Sequence, residues 1–294
     1  QVRQRGHEED PQREVLLRGH PRQQDDDEER DEEDAQERER VGEVDHRGAF
    51  YPALARFTPP AENPREMTSS IAFGTDGWRA RIGRDLTFDS LARVVDAMAA
   101  WTVSPANADP GDSRTLPIVH DTRFLSAELA AESAGRLASK GFRVLLTDRP
   151  VPTPCASWHV RSRDLRGGIA ITASHNPPEW NGVKYKSWFG GSATAETYAA
   201  IASSAGTPLP DRSGGSVERG DLVTPYAGAI AACVDVDAIR RAGLKVLWDS
   251  MHGAAGDILA QILGPGHATR VTTIRSEVNP SFGGVHPEPI PEHL

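Results

Sequence analysis

The sequence predicts an α/β fold in which a mixed, mostly parallel sheet is sandwiched by helices (α/β/α), followed by a second, shorter α/β unit. Two observations lead to this prediction. From residue 87 onward, helix-length amphipathic stretches alternate with short apolar runs, which is typical of right-handed strand–helix–strand crossovers. The run Gly168–Ala173 is apolar without alternation, as expected for a strand that is buried on both faces.

The first unit, residues 68–205, contains four helical and four strand-like patterns. The first helix has apolar residues at helical spacing and Thr87 as a candidate N-cap, and the second stops before Gly141, a typical C-cap residue. The predicted helices cover 87–101, 126–140, 152–161 and 194–203, and the predicted strands cover 116–119, 142–146, 168–173 and 183–187.

The second unit is predicted over residues 221–294, after a linker over 206–220 that is rich in Ser, Gly and Pro. Asp235 is a candidate cap for a short helix in this unit. The predicted helices are 222–234, 235–242 and 257–263, and the predicted strands are 245–248 and 268–274.

The first 66 residues have a different character, with 19 Asp and Glu, 11 Lys and Arg and few apolar residues. We expect a disordered acidic tail, because such a segment cannot bury enough apolar surface to offset its chain entropy. An acidic interaction arm is the alternative. The chain starts with Gln1 and its first methionine is Met67, so we hypothesise that Met67 is the natural start and that residues 1–66 lie upstream of it.

The composition argues against several classes of protein. Most of the net charge of −9 belongs to the first 66 residues, so the remainder has no basic footprint for nucleic acid. The chain has no apolar run near the roughly 18 residues of a membrane span and no signal-peptide pattern, so we expect a cytoplasmic protein without a membrane partner. Cys155 and Cys233 lack paired spacing, so neither a disulfide framework nor a cysteine zinc site is predicted.

The main candidate for chemistry is the stretch Thr172–Pro178. Ser174 follows the predicted buried strand at the carboxyl edge, where open α/β sheets bind their ligands. Two prolines further along restrict the backbone, so the loop should be stiff. A hydroxyl on a stiff loop, with His175 beside it and Lys184 nearby, is a candidate nucleophile.

Two arginines are candidates for binding an anion. Arg79 follows a Gly-Thr-Asp-Gly turn, which either is only structural or directs Arg79 towards a phosphate that it could bind bidentately. Arg123 lies past the end of another predicted strand and could share a cleft with Ser174. In the alternative interpretation, Asp121 caps the following helix and Arg123 is a solvated base.

The segment 286–294 carries a proline at every second position near its start and cannot form a helix. It could contain a metal cluster, because imidazole and carboxylate groups are metal ligands. The residues that would supply these groups are His286, Glu288, Glu292 and His293. We favour a rigid extended segment instead.

Five motifs resemble the α-D-phosphohexomutase family, which includes phosphoglucomutases, phosphomannomutases and phosphoglucosamine mutases. The resemblance runs from about Ser69 to the last residue, and the motif around Ser174 is its most specific part. The five motifs are Phe73–Arg79, His120–Arg123, Thr172–Pro178, Asn181–Lys184 and Asp249–Gly256.

The resemblance implies a reaction. Ser174 would be a phosphoserine that passes its phosphoryl group to a hexose phosphate and takes one back from the hexose 1,6-bisphosphate that results, so that a 1-phosphate and a 6-phosphate interconvert. Cations around the transferred group would provide most of the catalysis. The matching residues are His175, Arg79 and Lys184 as catalytic groups, and Arg123 and Asn176 as phosphate-binding groups.

The resemblance also implies Mg²⁺, held by the phosphate on Ser174 and by three aspartates of an acidic loop. This loop is expected soon after a segment such as Asn279–Gly284, and no such run occurs in the sequence. The family's sugar-recognition and distal phosphate loops are absent as well. The chain therefore resembles an amino-terminal fragment with domain I and an incomplete domain II, and we expect no useful mutase activity from it alone.

For the complete protein we expect a glucose or mannose phosphate as substrate rather than glucosamine phosphate. Two other functions stay open. A truncated, non-catalytic module would bind sugar phosphates without turnover. A serine hydrolase would use Ser174 and a histidine, but the G-x-S-x-G elbow of that class is missing.

Overall fold

A computed structural model describes residues 71–74, 76–205 and 209–293, so the predicted acidic tail lies outside the described residues. The strands are β1 (Trp78–Arg81), β2 (Thr115–His120), β3 (Arg143–Thr147), β4 (Gly167–Ile171), β5 (Trp180–Ser187), β6 (Ser216–Gly220), β7 (Lys245–Asp249) and β8 (Arg270–Ile274). The helices are α1 (Phe88–Val103), α2 (Ser126–Ser139), α3 (Thr153–Ser162), α4 (Ala195–Ser204), α5 (Val223–Ala232), α6 (Val236–Arg241) and α7 (Ile258–Leu263). Within the described ranges, no helix has the length and apolar character needed to cross a membrane.

The first six strands form one sheet in the order β1-β5-β4-β2-β3-β6. Strands β2, β3, β4 and β6 are parallel, whereas β5 is antiparallel to both of its neighbours, β4 and β1. The predicted mixed, mostly parallel sheet is therefore confirmed. Strands β7 and β8 form a separate parallel pair, which belongs to the small second α/β unit.

Both faces of the sheet are covered by helices. Along β4, Ile169 and Ile171 pack into a core that includes residues of α1, α2 and α4, while Ala170 faces a second core formed with α3, α5 and α7. This alternation follows from the two-residue period of a strand. All five residues of β4 are buried, as the unbroken apolar run predicts.

The predicted helices are present with ends within two residues of those expected. Thr87 caps α1 as predicted: its Oγ1 accepts a hydrogen bond from the Ser90 amide at 3.2 Å, and Ser90 Oγ accepts one from the Thr87 amide at 2.9 Å. Helix α2 ends at Ser139, and Gly141 then takes a left-handed φ of 79°, which a glycine adopts without steric cost.

The segment 206–220 differs from the predicted linker. Its last five residues form β6, which pairs with β3 in parallel from Ser216 opposite Arg143 to Gly220 opposite Thr147. Strand β6 lies at the edge of the sheet and is largely exposed. It therefore lacks the apolar alternation by which a strand is recognised in sequence, and the sheet extends beyond the predicted end at residue 205.

Strand β5 begins at Trp180, earlier than the predicted start at residue 183, and runs antiparallel. The dipeptide Asn181–Gly182 is typical of turns, which explains why the sequence pattern placed the strand too late. At Gly182 the glycine serves close packing, because a Cβ there would lie 2.2 Å from the carbonyl oxygen of Trp78 in β1.

The segment from His286 to His293 folds into turns, so the prediction of an extended segment is wrong. The amide of Ile290 donates to the Glu288 carbonyl at 2.9 Å, and the amide of His293 donates to the Ile290 carbonyl at 2.9 Å. Proline has no amide hydrogen, so the intervening non-proline residues supply the donors that close the chain back on itself.

Candidate active site

Ser174 lies in the loop that joins β4 to β5, and its side chain is exposed. Its backbone has a φ of 60°, a left-handed conformation that costs energy for any residue other than glycine. The Ser174 amide donates to Thr172 Oγ1 at 2.9 Å. In the part of the chain that the structure describes, Ser174 Oγ has no hydrogen-bond partner. The loop thus presents a free hydroxyl to solvent.

The buried guanidinium of Arg123 binds the backbone of this loop. Its Nη2 donates to the carbonyls of Ser174 at 2.8 Å and Asn176 at 2.5 Å, and its Nη1 donates to those of Pro177 at 2.8 Å and Trp180 at 3.0 Å. The Arg123 side chain is fully buried. One guanidinium therefore ties three carbonyls of the serine loop to the first carbonyl of β5.

The Arg123 guanidinium is itself fixed by its surroundings. Its Nε lies 3.3 Å from Asp121 Oδ2, and its Cζ lies 5.0 Å from the ring centre of Phe282. Burial lowers the pKa of Arg123, and the Asp121 carboxylate opposes this shift. Arg123 is thus not the solvated base of the alternative interpretation. The guanidinium N–H groups of Arg123 donate to backbone carbonyls. This contact differs from the contact with a substrate phosphate that the sequence motif implied.

Arg79 reaches the serine loop from β1. Its Nη1 donates to Asn176 Oδ1 at 3.1 Å. The preceding turn needs glycine at Gly77, whose φ is 104° and where a Cβ would lie 2.4 Å from the Val183 carbonyl oxygen. The two interpretations of this motif are therefore compatible, since the turn is structural and also directs Arg79 towards the loop.

Lys184 lies in the middle of β5, and its Nζ is 2.5 Å from Asp76 Oδ2. Burial acts to raise the pKa of Asp76, but hydrogen bonds from Lys184 and Ser192 outweigh it and lower that pKa. Lys186, two residues along the same face, donates to Ser192 Oγ at 3.3 Å, and burial lowers its pKa. Two lysines thus flank one carboxylate, an arrangement that the sequence alone did not reveal.

Two cavities lie at these residues. Ser174 and His175 line one of about 510 Å³, whose opposite wall includes residues 248–251 and 253–255 of the second unit. Asp76 and Arg79 line another of about 260 Å³. The structure therefore brings Ser174 and His175 together, connects Arg79 to them through Asn176, and leaves Lys184 beside the second cavity through Asp76.

The second unit contributes a loop from the last of the five sequence motifs, in which no site residue was predicted. Thr122 Oγ1, at the end of β2, donates to the His252 carbonyl at 2.7 Å, and the His252 amide donates to the Arg275 carbonyl at 2.7 Å. Arg275 forms an ion pair with Asp249, and its hydrogen bond lowers the pKa of the Asp249 carboxyl. The available signal was a polar turn directly after a predicted strand, the same signal that marked Ser174.

The described residues do not make up a Mg²⁺ site at Ser174. Of the carboxylates that line the larger cavity, Asp121 is bound to Arg123 and Ser126, and Asp249 is bound to Arg275. Among the residues that the structure describes, the one group of three candidate metal ligands lies in the C-terminal turn and contains two histidines. The oxygen-rich octahedral shell that Mg²⁺ prefers is not present there.

The fold and this loop define an α/β protein whose candidate nucleophile is a serine at the carboxyl edge of a largely parallel sheet. Two family models match the chain: phosphoglucomutase/phosphomannomutase alpha/beta/alpha domain I over residues 70–208, and domain II of the same family over residues 224–294. The chain belongs to the phosphoglucomutase/phosphomannomutase family.

Individual relatives agree with this assignment. The chain is 30% identical over 245 residues to a phosphoglucomutase of Komagataeibacter xylinus, covering 75% of this chain and 42% of that protein. It is 30% identical over 230 residues to a phosphoglucosamine mutase of Bordetella petrii, covering 76% and 51%. A crystal structure from Thermus thermophilus, assigned as a phosphomannomutase, matches with a TM-score of 0.68 and 37% identity over 78% of this chain and 51% of that one. The chain thus spans about half the length of the relatives it matches.

Proposed function

We propose that the complete protein interconverts hexose 1-phosphate and hexose 6-phosphate, with Ser174 as the carrier of the phosphoryl group. The observation that carries this proposal is the exposed Ser174 hydroxyl, free of hydrogen bonds to the described residues, on a strained loop beside a cavity of about 510 Å³. That volume lies within the range of roughly 300–1,000 Å³ that is typical of small-molecule sites.

In the proposed reaction, the phosphoryl group on Ser174 passes to a free hydroxyl of the bound hexose phosphate. The bond between phosphorus and Ser174 Oγ breaks, a bond to the sugar oxygen forms, and overall the proton of the sugar hydroxyl moves to Ser174 Oγ. The hexose 1,6-bisphosphate then reorients and returns its other phosphoryl group to Ser174. Such transfers depend on positioning and on cations more than on covalent chemistry of the protein.

The surrounding residues divide into two roles. Arg79 and Lys184 would supply positive charge that stabilises the transferred phosphoryl group. Arg123 would act as a positioning residue through the four backbone carbonyls that it binds, in place of the phosphate contact expected from its sequence motif. His175 lines the larger cavity beside Ser174. No step is assigned to Mg²⁺, for which the described residues provide no site.

We propose glucose or mannose phosphate as the substrate class. The names of the relatives include a phosphoglucomutase, a phosphoglucosamine mutase and a phosphomannomutase, so the family alone leaves the sugar open. The test is the rate with each hexose 1-phosphate for a chain of the relatives' full length. A clear preference for glucosamine 1-phosphate would overturn this part of the proposal.

Phosphorylation of Ser174 can be tested with a chain of the relatives' full length, because the described residues provide no Mg²⁺ site at Ser174. After incubation with glucose 1,6-bisphosphate and Mg²⁺, intact-mass spectrometry should show the gain of one phosphate, and peptide mapping should place it on Ser174. The Ser174→Ala variant should gain none. Phosphate on another residue, or equal labelling of the variant, would overturn the proposed role.

Two alternatives predict different outcomes. A serine hydrolase should react with a fluorophosphonate probe, but Ser174 Oγ has no hydrogen bond to a histidine among the described residues, so the base that would activate it is not in place. A binding module without catalysis should bind glucose 1-phosphate and yet leave Ser174 unphosphorylated by the bisphosphate.

A further inference from the structure

We propose that His286, Glu288 and His293 form a binding site for a divalent transition metal such as Zn²⁺. The ligand atoms of these three residues all lie within 4.8 Å of one another, and each residue is half-buried. The two imidazole rings lie close together, with their centres 4.9 Å apart and their planes 31° from parallel. This proposal is independent of the reaction proposed for Ser174.

The hydrogen bond of His293 fits metal ligation. His293 Nδ1 lies 2.9 Å from the backbone carbonyl of Glu288, and because a carbonyl can only accept, this nitrogen carries the proton. The lone pair of neutral His293 is then on Nε2. Histidine ligands of metals are commonly fixed in this way, by a carbonyl that accepts from the other ring nitrogen.

His286 and Glu288 have groups that a metal would satisfy. His286 Nδ1 is buried and has no hydrogen-bond partner within the described ranges, which is unfavourable for a polar atom. Within those ranges the Glu288 carboxylate forms no ion pair, so no neighbouring cation competes for it. A metal ion would bring the unpaired nitrogen and the free carboxylate together with His293.

The backbone of residues 286–293 already adopts turns that bring the three proposed ligands together. Prolines at 287, 289 and 291 fix φ, and the two turn hydrogen bonds described above return His293 to Glu288. Two ligands of a tetrahedral zinc, each about 2.0–2.1 Å from the metal, lie roughly 3.4 Å apart. Side-chain rotation on a preformed turn can supply this closure, so binding costs little chain entropy.

The donor set determines the kind of metal. Two imidazole nitrogens and one carboxylate oxygen suit Zn²⁺ or Co²⁺ with one coordination position left open. Mg²⁺ prefers an octahedral shell of oxygens and binds poorly to such a set. The site is thus chemically distinct from the Mg²⁺ that the family resemblance implies. Because Pro287 and Pro289 also line the cavity of Ser174, a bound metal would stiffen one wall of that cavity.

Cobalt provides a direct probe, because Co²⁺ in a four- or five-coordinate protein site absorbs visible light. Titration of the 294-residue chain with Co²⁺ should give visible bands that saturate at one equivalent and disappear when Zn²⁺, but not excess Mg²⁺, is added. The variants His286→Gln and His293→Gln should lose the bands.

Glu288 and Glu292 form a matched pair, because they are neighbouring exposed or half-exposed acids and only Glu288 belongs to the cluster. Glu288→Gln should weaken Co²⁺ binding by more than about 10-fold, because the loss of a residue that only orients a metal ligand already weakens binding by about that much. Glu292→Gln should bind as the wild type does. Thermal unfolding without metal checks that each variant folds.

Three results would overturn the proposal. The first is the absence of bands in the wild-type chain. The second is full binding by either histidine variant, which would place the metal elsewhere in the chain. The third is an equal loss of affinity in Glu288→Gln and Glu292→Gln, which would indicate general attraction of a cation to acidic groups.

Discussion

At Ser174, the cost of the strained backbone to stability can be measured separately from the proposed function of the hydroxyl. A left-handed conformation costs an L-residue about 1–2 kcal/mol, and glycine escapes most of this cost. We therefore expect Ser174→Gly to be more stable than Ser174→Ala by about 1 kcal/mol, while neither accepts a phosphate. Urea unfolding of the two variants measures the difference. Equal stability would mean that the strain is relieved by the surroundings.

Arg123 should matter to stability much more than an exposed arginine does. Removing its guanidinium takes four hydrogen bonds from the backbone carbonyls of the serine loop and Trp180, and within the described ranges only that of Pro177 has another donor, the Trp180 amide. We therefore expect Arg123→Ala to lower the free energy of unfolding by about 3 kcal/mol or more. Arg81→Ala is the control, since the pair that Arg81 forms with Glu179 is exposed and should contribute little.

Urea unfolding of both arginine variants provides the comparison. Arg123→Lys keeps the charge but not the fork of donors, so it should recover less than half of the lost stability. A loss in Arg123→Ala no larger than that in Arg81→Ala would contradict the positioning role.

The pair formed by Asp76 and Lys184 should stabilise the fold in a pH-dependent way. Because the pKa of Asp76 is lowered from its ordinary value of 3.8, its contribution is complete above pH 3.8 and is lost as the pH falls through the lower, folded-state value. The difference in unfolding free energy between wild type and Asp76→Asn should therefore shrink below about pH 3.8 and stay constant from about pH 5 to 7. A difference that grows on acidification would contradict the direction of this shift.

At the level of elements, the turn that leads into β1 depends on Gly77. Gly77→Ala would bring a Cβ to 2.4 Å from the Val183 carbonyl in β5, in addition to its positive φ. Gly83 also has a positive φ of 76°, but no atom lies within 4 Å of the position that a Cβ would take there. We expect Gly83→Ala to cost about 1 kcal/mol and Gly77→Ala about 3 kcal/mol or more.

Thermal and urea unfolding of these two variants measures the cost of the close approach between β1 and β5. The direct comparison is informative because the conformational penalty is shared by both positions. If the two variants are equally destabilised, then β1 can move away from β5 at little cost.

The elements that the sequence predicted well are those whose burial imposes a period. The run through Ile169 and Ile171 predicted a strand covered on both faces, and Thr87 and Gly141 marked helix ends through their local backbone chemistry. These signals depend on neighbouring residues or on the regular spacing of buried side chains, so they can be recognised in the sequence without knowledge of long-range contacts.

The site could be predicted only in part, for a physical reason. Ser174 was found because it follows a recognisable strand directly. The contacts that organise it are long-range, since Arg123 reaches a carbonyl 51 residues away and Asp76 lies 108 residues from Lys184. Neither contact leaves a spacing in the sequence, so the role of Arg123 and the position of Lys186 became visible only in three dimensions.

At the scale of the whole molecule, one buried hydrogen bond connects the end of β2 to the second unit. Thr122→Val keeps the shape of the side chain but removes the donor to the His252 carbonyl, and we expect a loss of about 1–3 kcal/mol. Thr122→Ser retains the hydroxyl and should lose less. Urea unfolding, together with hydrogen exchange at the amides of 249–256, measures both effects. Equal behaviour of the two variants would show that the hydroxyl is not what joins these regions.

Strand β6 has a practical consequence for anyone who expresses the first unit alone. It carries Glu218 and Arg219 along the outermost position of the sheet, and charges there discourage pairing with a second molecule. A protein cut at residue 205 would uncover β3, four of whose five residues are buried in the intact chain, and should precipitate. One that continues through Gly220 would keep that ladder shielded.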